Sequence, residues 1–216
     1  MNRLLAAAFG LLLAGCVTHE PRNLDAAKAA VRHYRDSGDY DRDIGTVVAQ
    51  AKAWIETRAG RHAPGEKLAL VLDIDETALS NFPYMKTHDF GWDDGSWNAW
   101  IAAGEAPAIA PVREVFATAQ RLGVAVFFIT GREEPRDRPG TEKNLRAEGM
   151  GDYARLIMAP AGGPKLTSAQ RKTAARAALE REGWTIIANV GDQESDLVGG
   201  HAERPFKLPD PFYLTE

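Results

Sequence analysis

The sequence predicts a doubly wound α/β fold: a parallel sheet with helices on both faces, N-terminal helices and a small cap insertion. Three observations predict it. The apolar runs Leu68 to Ile74, Val124 to Ile129 and Ile186 to Val190 read as strands buried on both faces, as parallel strands are. Helical patterns alternate with them, which is the order of βαβ units. Each run also ends in polar groups, Asp73 and Asp75, then Thr130 and Arg132, then Asp192, at the strand ends where open parallel sheets bind ligands.

From the N-terminus, Arg3 precedes an apolar run from Leu4 to Ala14 that is too short to span a bilayer, so residues 1–15 are expected to be a signal peptide. The run ends at Leu13-Ala14-Gly15-Cys16, which resembles the bacterial lipobox, and Cys16 is the only cysteine of the chain. That resemblance implies a diacylated Cys16 as the mature first residue, and membrane attachment through this N-terminal lipid alone. Val17, rather than Asp, after the cysteine resembles Gram-negative lipoproteins of the outer membrane, facing the periplasm or the surface. No second cysteine is left for a disulfide. Residues 16–23 read as a tether and residues 24–216 as one domain, whose 44% hydrophobic content suffices for a core.

The spacing Leu24, Ala27, Val31, Tyr34 predicts a first amphipathic helix, and Ile44, Val47, Val48, Ala51, Trp54, Ile55 a second. Gly60, Pro64 and Gly65 end it before the first strand. Further helices are expected over Pro111 to Gln120, Thr141 to Ala147 and Ser168 to Glu182, and a shorter strand over Arg155 to Met158. Thr167-Ser168-Ala169-Gln170 has the form of a capping box opening the last of these helices. The segment 81–110 interrupts the alternation with Phe82, Tyr84, Phe90, Trp92, Trp97 and Trp100, and is read as an insertion over the sheet's edge. Its aromatics fit either a small core of their own or a stacking platform.

The net charge of −4, or −5 once residues 1–15 are removed, gives no general attraction to polyanions and excludes nucleic acid as a bulk partner. The five histidines are scattered without ligand spacing, which speaks against zinc. Asp73 and Asp75, by strand alternation, are expected on the same side of the chain, two like charges that become favourable beside a hard divalent cation, Mg²⁺ being the natural choice. Lys172, Ala175 and Leu179 share one helix face, so the ammonium is expected on the apolar, sheet-facing stripe. Lys172 with Arg176 also reads as an ordinary solvated pair, and Arg132 to Arg138 as a charged surface loop.

Four stretches together carry a family resemblance. Asp73-Ile74-Asp75-Glu76-Thr77 resembles the first signature of the haloacid dehalogenase superfamily, in the DxDET form of its acid phosphatase branch. Phe127 to Arg132 resembles the second, Lys172 to Arg176 the third, and Gly191-Asp192-Gln193-Glu194-Ser195-Asp196-Leu197 the fourth. The ending Phe206 to Tyr213 is similar to the branch's FKLPNPFY, with Asp210 in place of Asn. The branch includes bacterial class C lipoprotein acid phosphatases, plant acid phosphatases and vegetative storage proteins.

The resemblance implies a Rossmann-like fold and Mg²⁺-dependent hydrolysis of small phosphate monoesters, nucleotide or aryl phosphates among them, through an aspartyl-phosphate. Asp73 matches the nucleophile and Asp75 the general acid. Thr130, Gly131 and Lys172 match the phosphate-binding groups, and the likeness to related phosphatases, whose aromatics sandwich bases or phenyl groups near the site, implies that Tyr84, Phe90 or Trp92 touches the substrate. Asp73, Asp192 and the main-chain carbonyl of Asp75 match the metal ligands, with Asp196 behind them orienting metal-bound water. Two rival functions share the fold: a lipoprotein that captures haem or a nucleotide without catalysis, and a phosphotransferase that hands the phosphoryl group to an alcohol.

Overall fold

Along Lys67–Leu72, the first strand (β1), residues 68, 70 and 72 enter one hydrophobic core while Ala69 and Val71 enter another. Side chains alternate across a strand, so an unbroken apolar run feeds two faces at once. The computed structural model describes residues 21–162 and 166–215. Cys16 and the expected signal peptide, residues 1–15, lie outside them.

Two helices precede β1, α1 (Leu24–Asp36) and α2 (Asp39–Ala59). Helices α3 (Phe82–Thr87), α4 (Asp94–Ala103) and α5 (Ala110–Arg121) follow it, and then β2 (Ala125–Glu134), α6 (Arg138–Ala147) and β3 (Arg155–Pro160). The chain closes with α7 (Ser168–Arg181), β4 (Trp184–Gly191), α8 (Glu194–Leu197) and β5 (Pro205–Lys207). The five strands pair in parallel in the order β3-β2-β1-β4-β5. The chain winds outward from β1 to β3, then returns to the other side of β1 for β4, which opens a crevice at the carboxyl ends of β1 and β4.

Helix α2 buries Ile44, Val48, Ala51 and Ile55 in the first core with Val112, Val115 and Phe116 of α5. On the other face, Leu179 of α7 packs with Ala69, Val71, Phe127, Ile129 and Ile186. The capping box at Thr167 and Gln170 is formed, with both reciprocal hydrogen bonds. Helix α1 has no buried residue. It is tied to the aromatic segment by Lys28, whose ammonium lies 2.7 Å from Asp89, and by Arg32 on the same carboxylate.

Two expectations need correction. The second strand does not stop at Ile129: β2 runs to Glu134, with its pairing to β3 slipped between Ile129 and Glu133. Thr130, Gly131 and Arg132 therefore sit in the irregular stretch of a strand. Strand β5 was not anticipated, because three residues are too few for a periodic signal.

Candidate active site

Past Leu72 the chain leaves the sheet. The carbonyl of Ile74 accepts from the N–H groups of Thr77, Ala78 and Leu79 at 3.2, 2.9 and 2.9 Å, and Glu76 takes a left-handed φ of 55°. This tight loop replaces the continued strand alternation expected of Asp73 and Asp75. Both residues line a small cavity, but they are not a bare pair of like charges, because each carboxylate is held by its own cation.

Asp73 accepts from the Lys172 ammonium at 2.5 Å, and the same ammonium also donates to Asp196. Carboxylate oxygens of Asp73, Asp192 and Asp196 lie within 4.8 Å of one another, all three residues being buried. Three carboxylates against one ammonium leave an excess of negative charge. Burial, with repulsion from Asp196 and Asp75, pushes the Asp73 carboxyl up to about 7, although Lys172 opposes the shift. Burial and the neighbouring carboxylates of Asp73, Asp196 and Asp210 likewise hold Asp192 well above the usual range. Burial pulls Lys172 down, but Asp73 and Asp196 outweigh it and hold its ammonium above the ordinary lysine value. A buried set of hard oxygen donors with uncompensated charge fits a divalent cation and has no nitrogen or sulfur ligand to suit zinc. Asp196, expected behind the ligands, has its carboxylate in the cluster itself.

Asp75 is gripped by buried Arg132, whose Nη2 donates to Oδ1 at 2.7 Å and whose Nε lies 3.2 Å from both oxygens. Arg132 is thus an active-site residue and not part of a surface loop. Asn81 Nδ2 adds a donor to Asp75 Oδ1 at 2.8 Å. Thr77 serves another element: its hydroxyl donates to Asp192 Oδ1 at 2.9 Å, locking the loop after β1 to the loop after β4.

In that second loop a Cβ on Gly191 would stand 2.4 Å from Cβ of Asp196, so only glycine permits the turn. Gln193 donates its main-chain N–H to Asp196 Oδ2 at 2.9 Å and its side-chain amide to Asp192 Oδ2 at 2.7 Å. Arg176 is fully buried, contrary to a solvated pair with Lys172, and donates to the carbonyls of Asp196, Val198 and Gly200.

Two cavities meet here. The smaller, about 80 Å³, is lined by Asp73, Asp75, Gly131, Lys172, Asp192 and Asp196, among others. The larger, about 720 Å³, is roofed by Tyr84, Phe90, Trp92 and Trp97 of the aromatic segment. Asp75, Gly131, Ser168, Tyr213 and Thr215 line both. The insertion therefore covers the carboxyl ends of the strands. Gly131 leaves open space where a Cβ would project, whereas Thr130 lines neither cavity and its hydroxyl accepts from the Arg132 N–H at 3.2 Å. Thr77, Asn81 and Gln193 were not singled out as site residues from the sequence. Thr77 and Gln193 stand inside the quoted signatures, while Asn81 had no signal beyond closing the loop.

A family model described as HAD superfamily, subfamily IIIB (acid phosphatase) matches residues 17–216. The chain belongs to this acid phosphatase family. Relatives include "Acid phosphatase 1" of Solanum lycopersicum, 39% identical over 147 residues, covering 66% of this chain and 57% of that protein. "Stem 28 kDa glycoprotein" of Glycine max is 35% identical over 193 residues, covering 87% of this chain and 74% of that one. The chain thus spans little more than half the length of the tomato relative. Among solved structures, the class C acid phosphatase from Bacillus anthracis superposes with a TM-score of 0.73 at 21% identity, covering 88% of this chain and 86% of that one. At that identity the likeness speaks for the Rossmann-like fold of the family.

Proposed function

We propose that this chain hydrolyses phosphate monoesters through an aspartyl-phosphate on Asp73, with Asp75 as general acid and base. The observation that carries the reading is the position of Asp75, at the junction of a small cavity, where the Lys172 ammonium stands among clustered carboxylates, and a larger aromatic one. A phosphoryl group in the small cavity would present its ester oxygen to Asp75 and its leaving group to the larger cavity.

In the first step a carboxylate oxygen of Asp73 bonds to phosphorus, the ester P–O bond breaks, and the proton of Asp75 passes to the departing oxygen. In the second step water attacks phosphorus, gives its proton to Asp75, and the P–O bond to Asp73 breaks, returning the free carboxylate and inorganic phosphate. Lys172 and the main-chain N–H of Gly131 supply fixed positive charge and a hydrogen bond for the phosphoryl oxygens, whereas Thr130, outside both cavities, serves the loop through Arg132. Asp73, Asp192 and the Asp75 carbonyl would hold Mg²⁺, with Asp196 beside them, and the bound ion would neutralise phosphoryl charge.

Two features of the chain support a place for the enzyme. The apolar leader and Cys16 support a lipid anchor on the outer membrane, facing the periplasm or the surface. Incorporation of labelled palmitate, lost in Cys16→Ser, tests the anchor. For the activity, p-nitrophenyl, nucleotide and glycerol phosphates are assayed with and without EDTA: EDTA should abolish turnover and Mg²⁺ restore it. Turnover unaffected by EDTA would remove the metal from the proposal, and phosphate transfer to added glycerol in place of water would favour the phosphotransferase.

A further inference from the structure

Asn81 is 1% exposed and occupies a position where each of its side-chain groups meets one kind of partner. Its Oδ1 accepts from the indole Nε1 of Trp100 at 2.8 Å. Its Nδ2 donates to Asp75 Oδ1 at 2.8 Å and to Glu76 Oε2 at 2.9 Å. An indole N–H can only donate, and two carboxyl groups on the other side call for donors, so the amide has one allowed orientation. Its main-chain N–H is committed as well, to Glu76 Oε1 at 2.5 Å. Trp100 belongs to the aromatic segment, 19 residues further along the chain, so the geometry of Asn81 is set by the cap.

The consequence falls on the two oxygens of Asp75. Oδ1 accepts from Asn81 Nδ2 and from Arg132 Nη2, and shares Arg132 Nε; Oδ2 has only its share of that Nε at 3.2 Å. An oxygen already accepting from several N–H groups has no lone pair left for a proton. We propose that Asn81, its amide fixed by Trp100, is a positioning residue for the general acid: by occupying Asp75 Oδ1 it leaves Oδ2 as the oxygen that carries and delivers the catalytic proton. The proton moves from Oδ2 to the leaving oxygen and, in the second half-reaction, from water back to Oδ2. Without the amide, Oδ1 has a free lone pair facing Asn81's former place, and the proton can rest on the side away from the substrate.

This inference rests on the reading of Asp75 as general acid, and a leaving-group series separates the two. The p-nitrophenolate ion departs with little help from a proton, phenolate needs more, and the alkoxide of glycerol phosphate needs it most. Asn81→Ala is therefore expected to lose ~10²-fold in kcat on glycerol phosphate and less than about tenfold on p-nitrophenyl phosphate, within the usual span for general acid catalysis. Trp100→Phe keeps the ring in place but removes the N–H. It should show the same gradient with a smaller loss, and it carries the test if Asn81→Ala does not fold. A flat loss across the series in the folded variant, or no loss in Trp100→Phe, overturns the inference. Asp75→Ala on the same esters is the control: a steep gradient there beside a flat one in Asn81→Ala sinks the inference alone, while a flat response in Asp75→Ala sinks the general-acid reading itself.

Discussion

Arg176 on α7 donates through Nη1 to the main-chain carbonyl of Asp196, across 20 residues of sequence, and by doing so holds the loop that carries Asp192 and Asp196 of the fourth signature. Asn189 Nδ2 reaches the same carbonyl at 2.9 Å. The guanidinium also serves Val198, which accepts from Thr173 Oγ1 as well at 3.0 Å, and Gly200, so one buried side chain bridges three carbonyls at a chain reversal. Arg176→Ala would leave the Gly200 carbonyl without its side-chain donor, weaken the hold on the other two and leave a large buried space empty, at a cost of about 3–5 kcal/mol. A urea midpoint well below that of the parent chain is the expected result. An unchanged midpoint would mean that water replaces the guanidinium at no cost.

The aromatic roof divides into two roles. Tyr84 is 4% exposed and packs with Phe82 and Met85, whereas Trp92 is 64% exposed on the wall of the larger cavity. Trp92→Ala should therefore raise KM for aryl and nucleotide esters, by roughly three- to tenfold if a ring stacks on it, and leave glycerol phosphate and the melting temperature alone. Tyr84→Ala should instead lower stability by about 3 kcal/mol, the scale for truncating a buried aromatic. Steady-state kinetics and thermal melts on the two variants distinguish the roles, and equal KM changes for all esters in Trp92→Ala would remove stacking.

The sheet and the ends of its central strands were legible because their signal is local. Leu68 to Leu72 is apolar at every position, and a chain that then places Asp73 beside a buried core announces a site. The face of Lys172 was readable for the same reason, since helical period alone puts it with Leu179. What the sequence did not disclose are contacts set by tertiary approach. Arg132 and Asp75 are 57 residues apart, Thr77 and Asp192 115 apart, and neither pair has a spacing rule to find it. The loop after Leu72 misled the alternation argument because its turn hydrogen bonds to Ile74 override the strand period. Arg176 was ambiguous because a helical arginine ordinarily faces water, and only the carbonyls of a loop 20 to 24 residues away make burial tolerable.

Asp73→Asn separates chemistry from folding. The amide cannot attack phosphorus, so turnover with p-nitrophenyl phosphate should disappear. The neutral side chain also relieves repulsion among the three clustered carboxylates, while Lys172 retains Asp196. In the absence of metal the variant should therefore melt no lower than the parent chain above neutral pH. Residual turnover near the parent rate would place the nucleophile elsewhere.

The acidic cluster makes metal-free stability depend on pH with a definite sign. In the folded chain burial raises the Asp73 carboxyl from 3.8 to about 7 and raises Asp192 as well, so the native state binds more protons than the unfolded chain between those values. Stability from these groups is fully present below the unfolded value near 3.8 and is lost as pH rises through the folded value near 7. A divalent cation reverses the balance, because it favours the ionised carboxylates that repulsion had penalised. The gain in melting temperature on adding Mg²⁺ should therefore be larger at pH 7 than at pH 5, each 1 kcal/mol corresponding to about 2–4 °C in a chain of this size. Scanning calorimetry at both pH values, with Mg²⁺ and with EDTA, reads the difference directly. A gain as large at pH 5 as at pH 7 would mean that the cation binds without displacing protons from Asp73 and Asp192.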